Sequence, residues 1–212
     1  MSEAAVDAAI GALPLPPTPL ILDTGCGNGE MLVRALRAYP QARGVGVDLD
    51  ADAIAEARER SAGLPVQFEV QDAATVGGHF DAVINAGSSH AHGGFPHALT
   101  ALRDLAHVVL YGEGFWRRPP SAAFLDALGG ATADELADLD GLHDAALGAG
   151  FDVVHESIAE DRDWALYEST LAANAARDGG PDALAYARRI RERRALPGGT
   201  TTLGFSLLVL YG

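Results

Sequence analysis

The chain has 212 residues, of which 48% are hydrophobic, 21% charged and 7% aromatic, a globular composition for which we expect one domain. Its 15 basic and 29 acidic residues give a formal charge of −14, which disfavours duplex nucleic acid and anionic membranes as partners. Every basic residue is arginine, so P-loop, Schiff-base and protein-kinase sites that depend on lysine are excluded.

The sequence has no pattern typical of export or membrane insertion. The start, Met1–Glu3, lacks the basic and apolar segments of a signal peptide, and no apolar run approaches the roughly 20 residues of a membrane helix. The single cysteine, Cys26, cannot form an internal disulfide. We therefore expect a cytoplasmic protein without a membrane partner. We expect it to be a monomer or a homodimer.

The N-terminal segment is predicted to be a helical arm over residues 1–17, because its Ala-rich stretch ends in the prolines of residues 13–17. From Leu20 onward, short apolar runs alternate with helical patterns, which is typical of parallel strands joined by crossover helices. Strands are predicted at residues 20–23, 44–48, 66–70, 80–85, 107–111, 151–158 and 203–210. Helices are predicted at residues 31–40, 51–60, 96–105, 133–147 and, as one or two inserted helices, 163–195.

The third, fourth and fifth predicted strands each have a distinctive feature. Apolar and polar residues alternate over residues 66–71, so the third strand has a wet face or lies at an edge of the sheet. The fourth strand opens into the loop Gly87–Gly94. The fifth is predicted to end at Tyr111, before a long aromatic loop over Gly112–Pro120.

The strongest motif is the segment Ile21–Glu30, between a strand and a helix. Its three glycines, Gly25, Gly27 and Gly29, let the backbone turn tightly and approach a ligand closely. A dinucleotide site needs Gly-x-Gly-x-x-Gly, but Glu30 stands where the third glycine should be, so the NAD pattern fails.

The charges beside this motif favour a cationic ligand. Asp23 and Glu30 flank the loop, where a pyrophosphate would need amide donors and positive potential. S-adenosylmethionine carries a sulfonium and an ammonium and no phosphate. A carboxylate at the strand end can attract its amino group, directly or through water.

The sequence resembles the class I S-adenosylmethionine-dependent methyltransferases, whose first motif is matched by Leu20–Gly29. The resemblance implies an α/β fold with a doubly wound, mostly parallel seven-stranded sheet, helices on both faces and an antiparallel last strand. It also implies a single methyltransferase domain over residues 18–212, with a helical cap over the acceptor at about 163–195.

The resemblance extends to three further strand ends and implies a role for each. Asp48 takes the position that binds both ribose hydroxyls, and Leu49 would cover the adenine. The pair Asp72 and Ala73 would lie near the adenine amine, and residues 85–87 would face the methionine part. The implied cofactor contacts are Asp23, Gly25, Cys26, Gly27, Gly29, Asp48, Leu49, Asp72, Ala73, Asn85 and Gly87. Within this set we expect Cys26 to pack rather than to react.

The acceptor pocket is expected in the loops after strands four to six, because ligands of open α/β sheets lie outside the carboxyl ends of the strands. A Gly-Ser-x-His loop and a Gly-Glu-Gly-aromatic-Trp stretch resemble a bacterial subgroup of methyltransferases of the small-molecule type. The substrate-binding candidates are Ser88, Ser89, His92, Trp116, Arg117 and Tyr167. If the acceptor is a hydroxyl or a protonated amine, His90 is the first candidate for the base and Glu113 the second; a thiol would need neither.

Several of these residues have alternative interpretations. His90 and His92 could form half of a metal site, although carboxylate ligands are missing from that loop, and His92 could simply bond the loop backbone. Trp116 could line a pocket or shield a core edge. The arginines of Arg188–Arg194 resemble a nucleic-acid patch, but on a helix they spread around the circumference, which favours a solvated helix.

The sequence disfavours some functions other than small-molecule methylation and leaves others as alternatives. The segment Asn85–Ser88 lacks the Pro-Pro-aromatic sequence of DNA amino methyltransferases, and the only cysteine lies outside the Pro-Cys context of cytosine C5 enzymes. A non-catalytic regulatory or scaffolding protein that binds S-adenosylmethionine remains an alternative, as does a nicotinamide oxidoreductase, which Glu30 disfavours. No metal is expected.

Overall fold

The computed structural model describes residues 1–212, except the side chain of residue 178. The strands are β1 Leu20–Thr24, β2 Arg43–Asp48, β3 Val66–Val70, β4 Ala82–Ala86, β5 Val108–Trp116, β6 Asp152–Ile158 and β7 Leu203–Tyr211. The helices are α1 Glu3–Gly11, α2 Glu30–Ala38, α3 Ala51–Arg60, α4 His97–Leu105, α5 Ala122–Ala127, α6 Leu139–Gly148, α7 Asp161–Asp178 and α8 Pro181–Ala195.

All seven strands form one mixed sheet in the order β3-β2-β1-β4-β5-β7-β6. β1 pairs in parallel with β2 on one side and with β4 on the other, and antiparallel pairing is confined to the last strands. β2 and β3 are added on one side of β1, whereas β4 and the later strands are added on its other side. Ligands of open α/β sheets lie at such a switch point, beyond the carboxyl ends of the strands. The predicted fold class is confirmed.

The chain divides into two compact units. The larger unit comprises residues 4–113, 143–157 and 207–212, and the smaller unit comprises residues 1–3, 114–142 and 158–206. The core of the larger unit contains the fully buried residues of β1, α2 and β4, among them Leu22, Leu32 and Ile84. The smaller unit contains the helices α5, α7 and α8.

The α7 and α8 helices of the smaller unit pack through small and ionic side chains. Ala172, Ala187 and Ile190 form a buried cluster between them. Glu168 of α7 binds the guanidinium of Arg193 on α8, and both side chains are buried. The prediction of one or two helices over residues 163–195 agrees with these two helices. Their role as a cap stays a prediction.

Two predicted boundaries in the second half of the chain are wrong. The fifth strand continues to Trp116, since Gly112 still pairs with Ala86 and the amide of Gly87 donates to its carbonyl. The segment predicted as an aromatic loop is therefore largely strand. The single helix predicted over residues 133–147 is divided into a 3₁₀ turn at residues 133–135 and α6, because Asp138 accepts the amide of Gly141 and begins a new helix.

Two smaller differences concern the start of β4 and a helix that was not predicted. β4 begins at Ala82 instead of residue 80, and α5 lies in the segment predicted as loop and connection. β3 lies at the edge of the sheet, as its alternating pattern predicts.

In the described part of the chain, no helix is both long enough and apolar enough to cross a membrane.

Candidate active site

A cavity of about 440 Å³ lies in the larger unit at the carboxyl ends of β1, β2, β3 and β4. Eight of the predicted site residues line it: Gly25, Asp48, Leu49, Asp72, Ala73, Gly87, Ser88 and His90. Residues from four strand ends therefore meet at one cavity. Three further lining residues, Gln71, Ala74 and Ala91, were not predicted, and their neighbours in sequence are the only signal that could have found them.

The Asp48 carboxylate is held in place by the backbone. Its Oδ2 accepts the amide of Gly27 at 2.8 Å, and its Oδ1 accepts the amide of Asp50 at 3.0 Å. A carboxylate offers about four acceptor positions, so each oxygen can accept one further donor. The neighbouring Leu49 is 71% exposed, which leaves an apolar surface at the cavity.

The ends of β1 and β4 present two buried oxygen atoms without partners in the described structure, Asp23 Oδ2 and Asn85 Oδ1. The Asn85 amide donates to Thr24 Oγ1 at 3.0 Å, which fixes its orientation. Burial, with the nearby Asp48 charge as the second cause, raises the pKa of Asp23 to about 8. Buried acceptors without donors are costly, so this place favours a ligand that brings N–H groups.

The structure explains why two positions of the motif are occupied by glycine. Gly25 has φ +68°, and a Cβ there would lie 2.5 Å from the Cβ of Ser88. Gly29 has φ +75°, and a Cβ there would lie 2.8 Å from the Phe68 ring. Both a left-handed backbone and a close approach thus require glycine at these positions. The loop after β1 consequently contacts the loop after β4.

Cys26 is a buried residue of the motif and does not line the cavity. Burial first, and then the Asp23 and Asp48 charges, raises the pKa of its thiol. A thiolate is therefore disfavoured at this position, which supports a packing role.

The loop after β4 forms a 3₁₀ turn over Ser89–His92. His90 is exposed and lines the cavity. His92 does not line it, and its buried Nε2 has no partner among the described residues. Burial lowers the pKa of His92, opposed by the charge of Asp72. The described residues contain no group of three or more His, Cys, Asp or Glu side chains placed to hold a metal ion.

Glu113, the second base candidate, lies on β5 and is buried. Its Oε2 accepts the phenol hydrogen of Tyr111 at 2.9 Å. It is not among the residues that line the cavity. The sequence placed it in a loop, and the structure places it in β5, directly after Gly112, whose carbonyl accepts the amide of Gly87.

Three predicted substrate-binding residues belong to the smaller unit. Trp116 donates its indole N–H to the carbonyl of Ala133, and Arg117 donates to Asp161 and to the carbonyl of Ala159. These two residues line a cavity of about 400 Å³ within the smaller unit. Tyr167 is 49% exposed on α7, with its ring centroid 5.3 Å from that of Trp164.

Comparison with known proteins identifies the family. A family model described as a methyltransferase domain matches residues 21–112. The uncharacterized protein YjhP of Escherichia coli is 30% identical over 167 residues, which cover 74% of this chain and 67% of YjhP. The X-ray structure of YjhP superposes with a TM-score of 0.83 and 26% identity, covering 100% of this chain and 93% of that one.

A second solved structure is similar over the whole chain. It is an S-adenosylmethionine-dependent methyltransferase from Thiobacillus denitrificans, crystallised in complex with S-adenosyl-L-homocysteine. Its TM-score is 0.82 at 25% identity, and the match covers 100% of this chain and 92% of that one. With the glycine motif and the sheet order, these matches show that the chain belongs to the class I S-adenosylmethionine-dependent methyltransferases and is an enzyme of that family.

Proposed function

We propose that the 440 Å³ cavity of the larger unit binds S-adenosylmethionine and that the enzyme methylates a small-molecule acceptor. The observation that carries the proposal is the meeting of four strand ends around one cavity with Asp48 held in its wall. Strand ends of this kind form the ligand site of open α/β sheets.

The residues at the cavity fit the groups of this cofactor. The free acceptor positions of Asp48 suit two ribose hydroxyls, and the exposed side chain of Leu49 suits an adenine face. Asp72 and Ala73 lie in the same wall and suit the adenine edge. The unpartnered oxygens of Asp23 and Asn85 suit an ammonium group, which would supply the donors that they lack. Gly27 and Gly29 shape the turn.

When bound, S-adenosylmethionine supplies a methyl group that its sulfonium has already activated for in-line displacement. The chain's own contribution is then to hold the acceptor atom in line and to exclude water. His90 lines the cavity and is exposed, so it can take a proton from a hydroxyl or ammonium acceptor. Glu113, buried against Tyr111, is the less accessible base.

The acceptor is proposed to be a small molecule. The formal charge of −14 opposes a nucleic-acid substrate. We keep Ser88, Ser89, His92, Trp116, Arg117 and Tyr167 as proposed acceptor contacts. The helices α7 and α8 remain the proposed acceptor cap, and a cytoplasmic monomer or homodimer remains the proposed state.

The experiment is methyl transfer from radiolabelled S-adenosylmethionine to a panel of small hydroxy, amino and thiol compounds. With a hydroxyl or amine acceptor, His90→Ala should lower kcat by about a hundredfold or more and leave the affinity for S-adenosylhomocysteine nearly unchanged. The control is His79→Ala, at an exposed histidine outside the cavity lining, with unchanged kcat expected. Equal kcat for wild type and His90→Ala would refute the role as base.

A further inference from the structure

The side chain of Thr24, the last residue of β1, connects the ends of β1 and β4. Its Oγ1 donates to the carbonyl of Ile84 at 3.2 Å and accepts the side-chain amide of Asn85 at 3.0 Å. Thr24 and Asn85 are both fully buried, so bulk water does not compete for these bonds. The two neighbouring strands therefore share one buried polar chain, which runs from the Ile84 carbonyl to the Asn85 side chain.

This polar chain has a fixed direction, because a hydroxyl has only one hydrogen to donate. The Ile84 carbonyl can only accept, so it takes the hydroxyl hydrogen, and Thr24 Oγ1 is left to accept from Asn85. If the Asn85 amide turned over, its oxygen would face Thr24 Oγ1 with no hydrogen between the two acceptors. The amide therefore keeps its NH₂ group toward Thr24, and its oxygen is the free end.

The free end of the polar chain is an acceptor without a donor. Asn85 Oδ1 is buried and has no hydrogen-bond partner in the described structure, and the same is true of Asp23 Oδ2 at the end of β1. Each of these oxygens favours a ligand group that supplies hydrogens. Without the Thr24 hydroxyl, the amide could turn and present its NH₂ group, which would repel an ammonium.

The main chain of Thr24 is held by a separate bond. Ser88 Oγ donates to the carbonyl of Thr24 at 2.6 Å, and Ser88 lines the cavity. This bond does not involve the Thr24 side chain. A substitution that removes only the Thr24 hydroxyl therefore alters the orientation of the Asn85 amide and leaves this contact of the cavity wall in place.

We propose that Thr24 is a positioning residue, which orients the Asn85 amide so that its oxygen, and not its NH₂ group, is available to the amino-acid end of the cofactor. Thr24 does not line the cavity, and its hydroxyl binds Ile84 and Asn85, so it acts through Asn85 rather than on the ligand. The inference rests on the proposed function, because it takes the free oxygens of Asp23 and Asn85 as the place of the ammonium group.

The test is calorimetric titration of two ligands, S-adenosylhomocysteine and methylthioadenosine, which keeps the adenosine but lacks the amino-acid end. Thr24→Val keeps the shape of the side chain and removes its hydroxyl. It should weaken binding of S-adenosylhomocysteine about tenfold and leave binding of methylthioadenosine nearly unchanged. Thr24→Ser keeps the hydroxyl and should bind both ligands as wild type does. Asn85→Ala should show the same selective loss as Thr24→Val, which keeps the proposal testable if Thr24→Val folds poorly.

The control is Thr202→Val, at another buried threonine, whose hydroxyl donates to the carbonyl of Gly198 at 2.8 Å. It should lower the melting temperature and leave both affinities unchanged, so it separates the loss of a buried hydrogen bond from the loss of amide orientation. Wild-type affinity for both ligands in Thr24→Val, or equal losses for the two, would overturn the inference. So would a Thr24→Ser variant that binds as weakly as Thr24→Val.

Asp48→Ala separates this inference from the proposed function, because both ligands contain the ribose. It should weaken the binding of both. If wild type binds neither ligand, or if Asp48→Ala binds both as wild type does, the proposed function fails. If Asp48→Ala loses both ligands while Thr24→Val binds them as wild type does, only the role of Thr24 fails.

Discussion

Ionisation of Asp23 lowers the stability of the fold but favours binding of an ammonium group. Its folded pKa of about 8 lies above the usual 3.8, so the folded state holds a proton that the unfolded state has released between these values. The free energy of unfolding therefore falls as pH rises from about 4 to 8, by up to about 1.4 kcal/mol per pH unit from this group. Below pH 4 the protonated Asp23 carboxyl makes its full contribution to the free energy of unfolding.

Asp23→Asn removes this titration while keeping the shape. Urea unfolding should show the variant about as stable as wild type near pH 4 and clearly more stable at pH 8. At the same time its affinity for S-adenosylhomocysteine should fall, because an amide attracts an ammonium less than a carboxylate does. A stability difference between the two proteins that does not change with pH would contradict the assigned titration.

Gly25 differs from other glycines in what surrounds it. Both Gly25 and Gly63 have positive φ, but a Cβ at Gly63 meets nothing within 4 Å, whereas one at Gly25 meets Ser88. Gly63→Ala should cost about 1 kcal/mol of stability, the usual backbone penalty. Gly25→Ala should cost about 2 to 4 kcal/mol and weaken cofactor binding. Equal losses of stability in urea unfolding would mean that the contact with Ser88 is unimportant.

At the scale of elements, the helices α7 and α8 depend on one buried ion pair. The Glu168 carboxylate binds Arg193, and it also pairs with Arg194 at 3.1 Å. The guanidinium of Arg193 lies over the Phe124 ring. Glu168→Ala leaves the buried Arg193 without its carboxylate partner and should destabilise the protein by about 3 to 5 kcal/mol.

The matched control for this pair is Glu192→Ala on α8. Glu192 pairs with Arg188 at 3.6 Å, and both side chains are largely exposed. Because exposed pairs contribute little, the change in unfolding free energy should stay within about 0.5 kcal/mol. Similar melting temperatures for the two variants would show that the buried pair does not stabilise the helices.

Most of the elements could be predicted because their hydrophobic patterns are regular. The alternation of β-type runs and helical patterns from Leu20 to Leu105 identifies the first four strands and three of the helices. The extension of β5 could not be predicted, because Gly112 and Gly114 indicate a loop when tertiary pairing is unknown. The pairing of β5 with its neighbours outweighs that local preference.

At the scale of the whole molecule, the site is predictable where it depends on motif order and unpredictable where it depends on packing. The strand ends at Asp48, Asp72 and Gly87 can be inferred to converge because parallel strands end at the same edge. The burial of Tyr111 and its bond to Glu113 follow from side-chain contacts that no spacing encodes.

The central claim is that the cavity beside Asp48 binds S-adenosylmethionine, and calorimetric titration with S-adenosylmethionine and S-adenosylhomocysteine tests it most directly, with NAD as the control ligand. We expect saturable binding of the first two and none of NAD. Asp48→Ala should weaken binding by about 1.5 to 3 kcal/mol, whereas Asp52→Ala, at an exposed position of α3, should bind as wild type does. Absence of binding to the wild-type protein, or wild-type affinity in Asp48→Ala, would contradict the account.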